Sequence, residues 1–162
     1  MIEILNRYKH ALLYKSDVAS TTAEAVAEAV RSGADLRGAN LRGADLGGVK
    51  ADLIAEILKL PNELEFLRAA LIEGRVDGST YTGKCACLAG TLANAKGIQN
   101  YNGETIQANG TPFIADAGSP RERFFLAIKK GDTPETNPVA KIALGWVEEA
   151  IAMRDHIRRV AP

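Results

Sequence analysis

Cys85 and Cys87 are the two thiols of the chain, in the small-residue run Cys-Ala-Cys-Leu-Ala-Gly-Thr. At a helix N-terminus a thiolate is favoured by the dipole, and Lys84 beside Cys85 would lower its pKa further. A nucleophile also needs a base. The two histidines, His10 and His156, lie among Lys and Arg and read as exposed side chains. Two cysteines without a second pair make a poor zinc site. Packing of a tight helix is therefore the first reading, with a nucleophile and a metal site behind it. Glu148 and Glu149 are adjacent, so on a helix they diverge by about 100° and cannot share a substrate atom. They read as a solvated face. Neither a metal nor a cofactor is expected.

The basic residues are more suggestive. Arg121, Arg123, Lys129 and Lys130 cluster ahead of a polar connector at 131–137. If one helix runs from 120 to 130, Arg123 and Lys130 share a face, with Ala127 between them leaving the surface open. The helix starts near Ser119 and Asn137 would offer free N–H groups to an anion. Arg121, Arg123 and Lys130 for phosphate, Thr133, Thr136 and Asn137 for polar edges, and Tyr81 or Tyr101 for stacking would make a nucleotide pocket. A second location lies around Tyr81, Lys84 and Thr91. The competing reading is a helix surface with ordinary charges. Gly83-Lys84 lacks the preceding glycine of a phosphate-binding loop, so nucleotide hydrolysis is not supported.

The elements that must position these groups follow from punctuation and period. Ile2, Ile4 and Asn6 alternate with Glu3 and Leu5 as a strand; residues 7–10 form a polar turn and 11–14 a second strand. Ser20, Thr21 or Thr22 caps a helix to about Ser32, and Gly33 stops it. Asp52 is expected to cap a helix at 53–60, and Asn62 one at 63–73 that leaves through Gly74. Residues 85–95 read as a helix closed by Gly97. Asn109-Gly110 marks a hairpin between 104–108 and 111–115. Ser119-Pro120-Arg121-Glu122 combines an N-cap, a proline at the first helical position and a capping-box glutamate. That helix is expected to reach Lys130. Asn137-Pro138 opens the last helix, where Val139, Ala143, Trp146, Ala150, Met153, Ile157 and Val160 form a narrow apolar seam. Packing within the domain and self-association are its two readings.

The 162 residues suit one domain, with 46% apolar and 25% charged residues excluding wholesale disorder. Twenty basic against twenty acidic residues give zero net charge, which argues against binding duplex nucleic acid or imitating it. No membrane-spanning run and no signal-peptide core is evident, and paired secretory cysteines are lacking, so a cytosolic, reduced protein is expected. The six acids against three bases in 51–80 read as a solvated face.

Leu36, Leu41 and Leu46 recur every five residues, each two places after Ala34, Ala39 or Ala44. A period of five fits neither helix nor strand. It fits a square right-handed β-helix with leucine on the axis, and with Val49 and Ala51 roughly supplying a fourth side there is about one coil. Such a coil must lean on the rest of the domain. Together with Ile2-Glu3-Ile4-Leu5-Asn6-Arg7-Tyr8, Leu12-Leu13-Tyr14 and Ala23-Glu24-Ala25-Val26, the repeat resembles phage- and prophage-encoded pentapeptide-repeat proteins. The expected fold is α+β: residues 1–50 form a β-hairpin, a helix and the coil. Residues 51–162 form a mainly helical region packed with it as one domain. The resemblance implies a mobile-element setting without an assigned activity. The expected function is a non-enzymatic binding protein for counter-defence. It would sequester a small phosphate-bearing nucleotide signal in a host bacterial cytoplasm, as a homo-oligomer joined through the C-terminal helix. A protein–protein inhibitor of a host immune complex and a Cys-dependent enzyme are the alternatives.

Overall fold

A computed structural model describes residues 1–6, 9–19, 22–32, 34, 36, 39, 46–98, 100–108, 110 and 112–160, with backbone alone for 23, 24, 27, 30, 31 and 47. Strands β1 (Ile2–Leu5) and β2 (Leu12–Ser16) pair antiparallel, with Ile4 opposite Tyr14 and an irregularity before Leu5 opposite Leu12. The turn is held by Asn6, whose carbonyl accepts from the His10 N–H at 2.9 Å and whose Oδ1 accepts from the Lys9 N–H at 2.9 Å. His10 takes φ 54° there, in the exposed turn expected for it.

Helix α1 (Thr22–Arg31) follows and packs on both strands, burying Ala25, Val26 and Ala29. Of the five-residue repeat, Leu36, Ala39 and Leu46 are buried, and Ala39 bridges to Asn6 on the hairpin. Leu41 and Ala44 lie outside the described residues, so the coil itself is not among the described elements. Val49 and Ala51 do not form its fourth side. They belong to helix α2 (Gly47–Ile57), which begins well before Asp52. Asp52 is thus inside α2 and does not cap the helix it belongs to.

Helix α3 (Leu64–Ile72) starts without a side-chain cap. Asn62, expected there, instead accepts from Arg158 Nη2 at 2.6 Å. Gly74 ends α3 at φ 66°, with the Arg75 N–H returning to the Ala70 carbonyl at 2.8 Å, a left-handed exit that favours glycine. Helix α4 (Leu88–Ala95) has Cys87 at its N-cap, leaves Cys85 outside, and closes through Gly97 at φ 73°. The expected hairpin around Asn109-Gly110 reduces, among the described residues, to one antiparallel bridge, Ile106 to Phe113; Asn109 and Thr111 lie outside them.

Helix α5 (Pro120–Phe125) starts as the sequence dictates, with Ser119 Oγ accepting from the Glu122 N–H at 3.3 Å. It ends five residues earlier than expected. Phe124, Phe125 and Ile128 turn into the core, and the Ile128 carbonyl leaves helical geometry to accept from the Gly78 N–H at 2.9 Å. Helix α6 (Pro138–Val160) closes the fold against α2, α3 and α5. Its seam is divided. Val139, Ala143 and Ala150 are fully buried and Trp146 lies against Phe124 with ring centroids 4.9 Å apart, whereas Met153, Ile157 and Val160 are exposed. Val147 and Arg154 complete the buried face, Arg154 donating to the Pro61 carbonyl at 3.1 Å and to Glu65 at 3.0 Å. The core runs through Leu53, Ile57, Leu64, Leu67, Leu71, Leu88, Leu92, Phe113 and Phe125, joining both halves of the chain.

Candidate functional site

The donors of the connector and the helix starts are bonded within the chain. At α5 the Arg121 N–H donates to Asp52 Oδ2 at 3.0 Å, the Glu122 N–H to Ser119 Oγ and the Arg123 N–H to the Ser119 carbonyl at 3.1 Å. At α6 Asn137 is buried, and its Oδ1 accepts from the Val139 N–H at 2.8 Å and the Ala140 N–H at 3.3 Å. Its Nδ2 donates to the Ala127 carbonyl at 2.9 Å and to Asp132 at 2.7 Å. Thr133 and Thr136 bond one another within their own turn, the Thr133 N–H reaching Thr136 Oγ1 at 2.9 Å. These donors already have acceptors, so an anion would have to displace them.

The cations separate as well. Arg121 is buried: Nη1 lies 2.8 Å from Asp52 Oδ1, Nη2 donates to the Ile114 carbonyl at 2.9 Å, and the guanidinium sits 5.5 Å from the Phe113 ring centre. The acids of 51–80 are accordingly not all on a solvated face, since Asp52 and Glu56 both face Arg121. Lys130 is exposed beyond the end of α5, so the shared helical face with Arg123 does not exist. Arg123 is half-buried and its side chain is without a partner among the described residues; its guanidinium runs past Gly118. Glu148 and Glu149 diverge as expected, to Arg68 of α3 at 3.1 Å and Lys50 of α2 at 2.7 Å.

A cavity lies beside Tyr81, one of the three residues of the second location. About 180 Å3 is enclosed by Gly78, Ser79, Thr80, Tyr81, Cys87, Ala117, Glu122 and Leu126. Buried Gly78, Cys87 and Glu122 form its floor, and exposed Ser79, Ala117 and Leu126 its rim. The loop ahead of α4 is held by main chain: the Asp77 N–H bonds the Ala86 carbonyl at 2.9 Å and the Cys87 N–H the Thr80 carbonyl at 2.6 Å. Gly90 of α4 lets the helix meet this loop, because a Cβ there would stand 2.2 Å from the Tyr81 carbonyl oxygen. Tyr81 is thereby placed edge-on to Tyr101, 6.1 Å between ring centres. Thr91 does not reach the cavity's wall; it is buried and its hydroxyl donates to the Ala86 carbonyl at 2.9 Å. Lys84 is exposed on the same loop.

Glu122 is the residue that sequence reasoning placed in another role. A capping box needs its carboxylate to accept from the Ser119 N–H, but that N–H donates to the Asp116 carbonyl at 2.8 Å. The carboxyl is left at the cavity, 5% exposed, with Oε1 sealed and without a donor. Burial pushes its pKa up to about 7; Arg121 pulls the other way, and Asp116 and Asp52 push it further up. Cys87 moves in the same sense. Burial raises its thiol to about 11 against the lowering effect of the α4 N–H groups, so a thiolate at Cys87, a lesser reading of this helix start, is disfavoured. With about four units between them, the Glu122 carboxylate is too weak a base to take the Cys87 proton readily. Burial also raises Tyr81 and Tyr101 above the ordinary phenol value.

Among the described residues no cluster of three His, Cys, Asp or Glu side chains could hold a metal ion, and no helix is long and apolar enough to cross a membrane. No curated protein and no solved structure matches the chain. Residues 28–52 match the family model described as pentapeptide repeats (8 copies); the matched stretch has room for five such units at most. The five-residue period and the burial of Leu36, Ala39 and Leu46 agree with that match: the chain carries a pentapeptide-repeat segment, which runs from the second half of α1 into α2.

Proposed function

We propose that the protein is a non-enzymatic binding protein that sequesters a small phosphate-bearing nucleotide, in a phage counter-defence setting. The observation supporting this reading is the cavity with Glu122 in its floor. A buried carboxyl oxygen without a donor carries a desolvation cost of about 1–3 kcal/mol, and such a group is accounted for when a ligand completes its hydrogen bonds. The cavity is small beside the roughly 300–1,000 Å3 of ordinary ligand pockets, so one base enters and the rest of the ligand stays outside. Arg123, whose guanidinium lies beside Gly118 next to the lining residue Ala117, and Lys84, exposed on the loop that carries Tyr81, are the cations assigned to the phosphate in this reading. The raised Cys87 thiol weighs against the Cys-dependent enzyme. Binding by occupancy needs no acid–base pair.

Incubation with mononucleotides and cyclic oligonucleotides, followed by denaturation and analysis of the released ligand, tests the reading. Intact ligand retained with the protein and released unchanged is the expected result. Conversion would replace the reading by an enzyme, and failure to retain any nucleotide would overturn it.

A further inference from the structure

We propose that the Glu122 cavity reads the base of the nucleotide rather than its phosphate, and that the base is of the guanine type. This rests on the nucleotide reading above and adds its specificity. The walls are mostly apolar: Gly78, Ala117, Leu126, Cys87 and the Tyr81 ring. Of the wall's other polar side chains, Ser79 already donates its hydroxyl to Asp77 at 2.6 Å and Thr80 donates to the Thr82 carbonyl at 3.3 Å. The buried Glu122 Oε1 accepts no hydrogen bond among the described residues. A phosphate brought against a buried carboxyl meets a like charge and no donor. A flat ring fits the apolar walls and gains stacking on Tyr81.

The choice among bases follows from what a carboxylate can accept. It has two oxygens and no hydrogen to donate. Guanine presents two adjacent donors, the ring N1–H and the exocyclic N2–H2, and so satisfies both oxygens once the carboxyl turns its sealed Oε1 into the cavity. Adenine and cytosine each place a ring acceptor beside their amino group, and uracil flanks its single N–H with carbonyls. Adenine would fit only the neutral acid, which donates to N1 and accepts from N6. The two assignments therefore respond oppositely to pH. Guanine needs the carboxylate and must expel the carboxyl proton; adenine needs that proton kept. The charged groups acting on Glu122 are Arg121, Asp116 and Asp52, while Cys87, Tyr81 and Tyr101 face it with raised pKa values and stay neutral through this range.

Calorimetric titration of the full chain with GMP, guanosine, AMP and ribose 5-phosphate at about pH 6 and about pH 8 decides the matter. GMP and guanosine are expected to bind about tenfold more tightly at the higher pH, since one carboxyl with a pKa near 7 must lose its proton. Glu122→Gln is expected to weaken GMP about tenfold or more and to flatten the pH response. The pH slope is read on the unaltered protein, so the test does not depend on the variant folding. AMP binding better than GMP, with the opposite slope, overturns the guanine assignment and leaves the nucleotide reading standing. Ribose 5-phosphate binding as well as GMP overturns base recognition. Binding of none of these compounds overturns the assignment, and the release experiment above shows separately whether any nucleotide is retained.

Discussion

Asp52 caps a helix sixty-nine residues away: one carboxylate oxygen accepts from the Arg121 main-chain N–H at 3.0 Å and the other from Arg121 Nη1 at 2.8 Å. The same side chain therefore holds the backbone and the charge of α5 against α2. Removing Asp52 leaves the buried Arg121 charge only Glu56, 3.9 Å away, as an acidic partner. Asp52→Ala is expected to cost about 3 kcal/mol in urea unfolding, and Arg121→Met less, because it removes the charge together with its need for a partner. A smaller loss for Asp52→Ala than for Arg121→Met would contradict this account.

Glu122 couples the fold to pH. Its folded pKa is about 7 against an ordinary value of 4.5, so the native chain keeps a proton that the unfolded chain has lost. This contribution makes stability fall as pH rises from about 4.5 to about 7, by roughly 3 kcal/mol at most, and leaves it flat above that. Glu122→Gln is expected to remove the slope and to be more stable than the parent at about pH 8. Chemical unfolding at intervals across the range provides the check.

Two glycines in helices separate space from conformation. A Cβ on Gly90 would meet the Tyr81 carbonyl oxygen at 2.2 Å and Ala86 Cβ at 2.7 Å, whereas one on Gly145 meets nothing within 4 Å. Gly90→Ala is expected to destabilise by about 2–3 kcal/mol. Gly145→Ala, inside α6, is expected to stabilise by about 0.5–1 kcal/mol. Thermal melts of the two variants should shift in opposite directions.

The divided seam of α6 calls for two different substitutions. Trp146→Ala removes the contact with Phe124 and is expected to cost about 2–3 kcal/mol. Ile157 is 58% exposed, so Ile157→Glu is expected to leave stability within about 0.5 kcal/mol. If copies of the chain associate through this helix, light scattering will show the Ile157→Glu protein at lower mass with an unchanged melt.

Local signals in the sequence were legible because their physics is local. Ser119, Pro120, Asn137, Gly74 and Gly97 punctuate helices through bonds within a few residues, and the structure places each where its chemistry suits it. What escaped was every group whose partner lies far along the chain. Asp52 has the right chemistry for a cap, but its helix is α5. Phe125 and Ile128 continue an apolar helical pattern, yet the Ile128 carbonyl is claimed by Gly78. Glu122 fits a capping box until Asp116 takes the N–H it would have bonded. The cavity was missed for the same reason, since its floor joins residues 78, 87 and 122. Tyr81 alone of the expected ligand residues lines it.

The stretch 74–78 lies along 125–131, joined by the Gly131 N–H to the Gly74 carbonyl and the Gly78 N–H to the Ile128 carbonyl, both at 2.9 Å. At Gly78 a Cβ would stand 2.2 Å from the Phe125 carbonyl oxygen, and at Gly74 3.0 Å from Gly131. This join is main chain against main chain, so it is indifferent to the identity of the side chains around it. Ser79, Thr80, Ala117 and Leu126 at the cavity can therefore be exchanged during evolution while the frame that carries them stays in place.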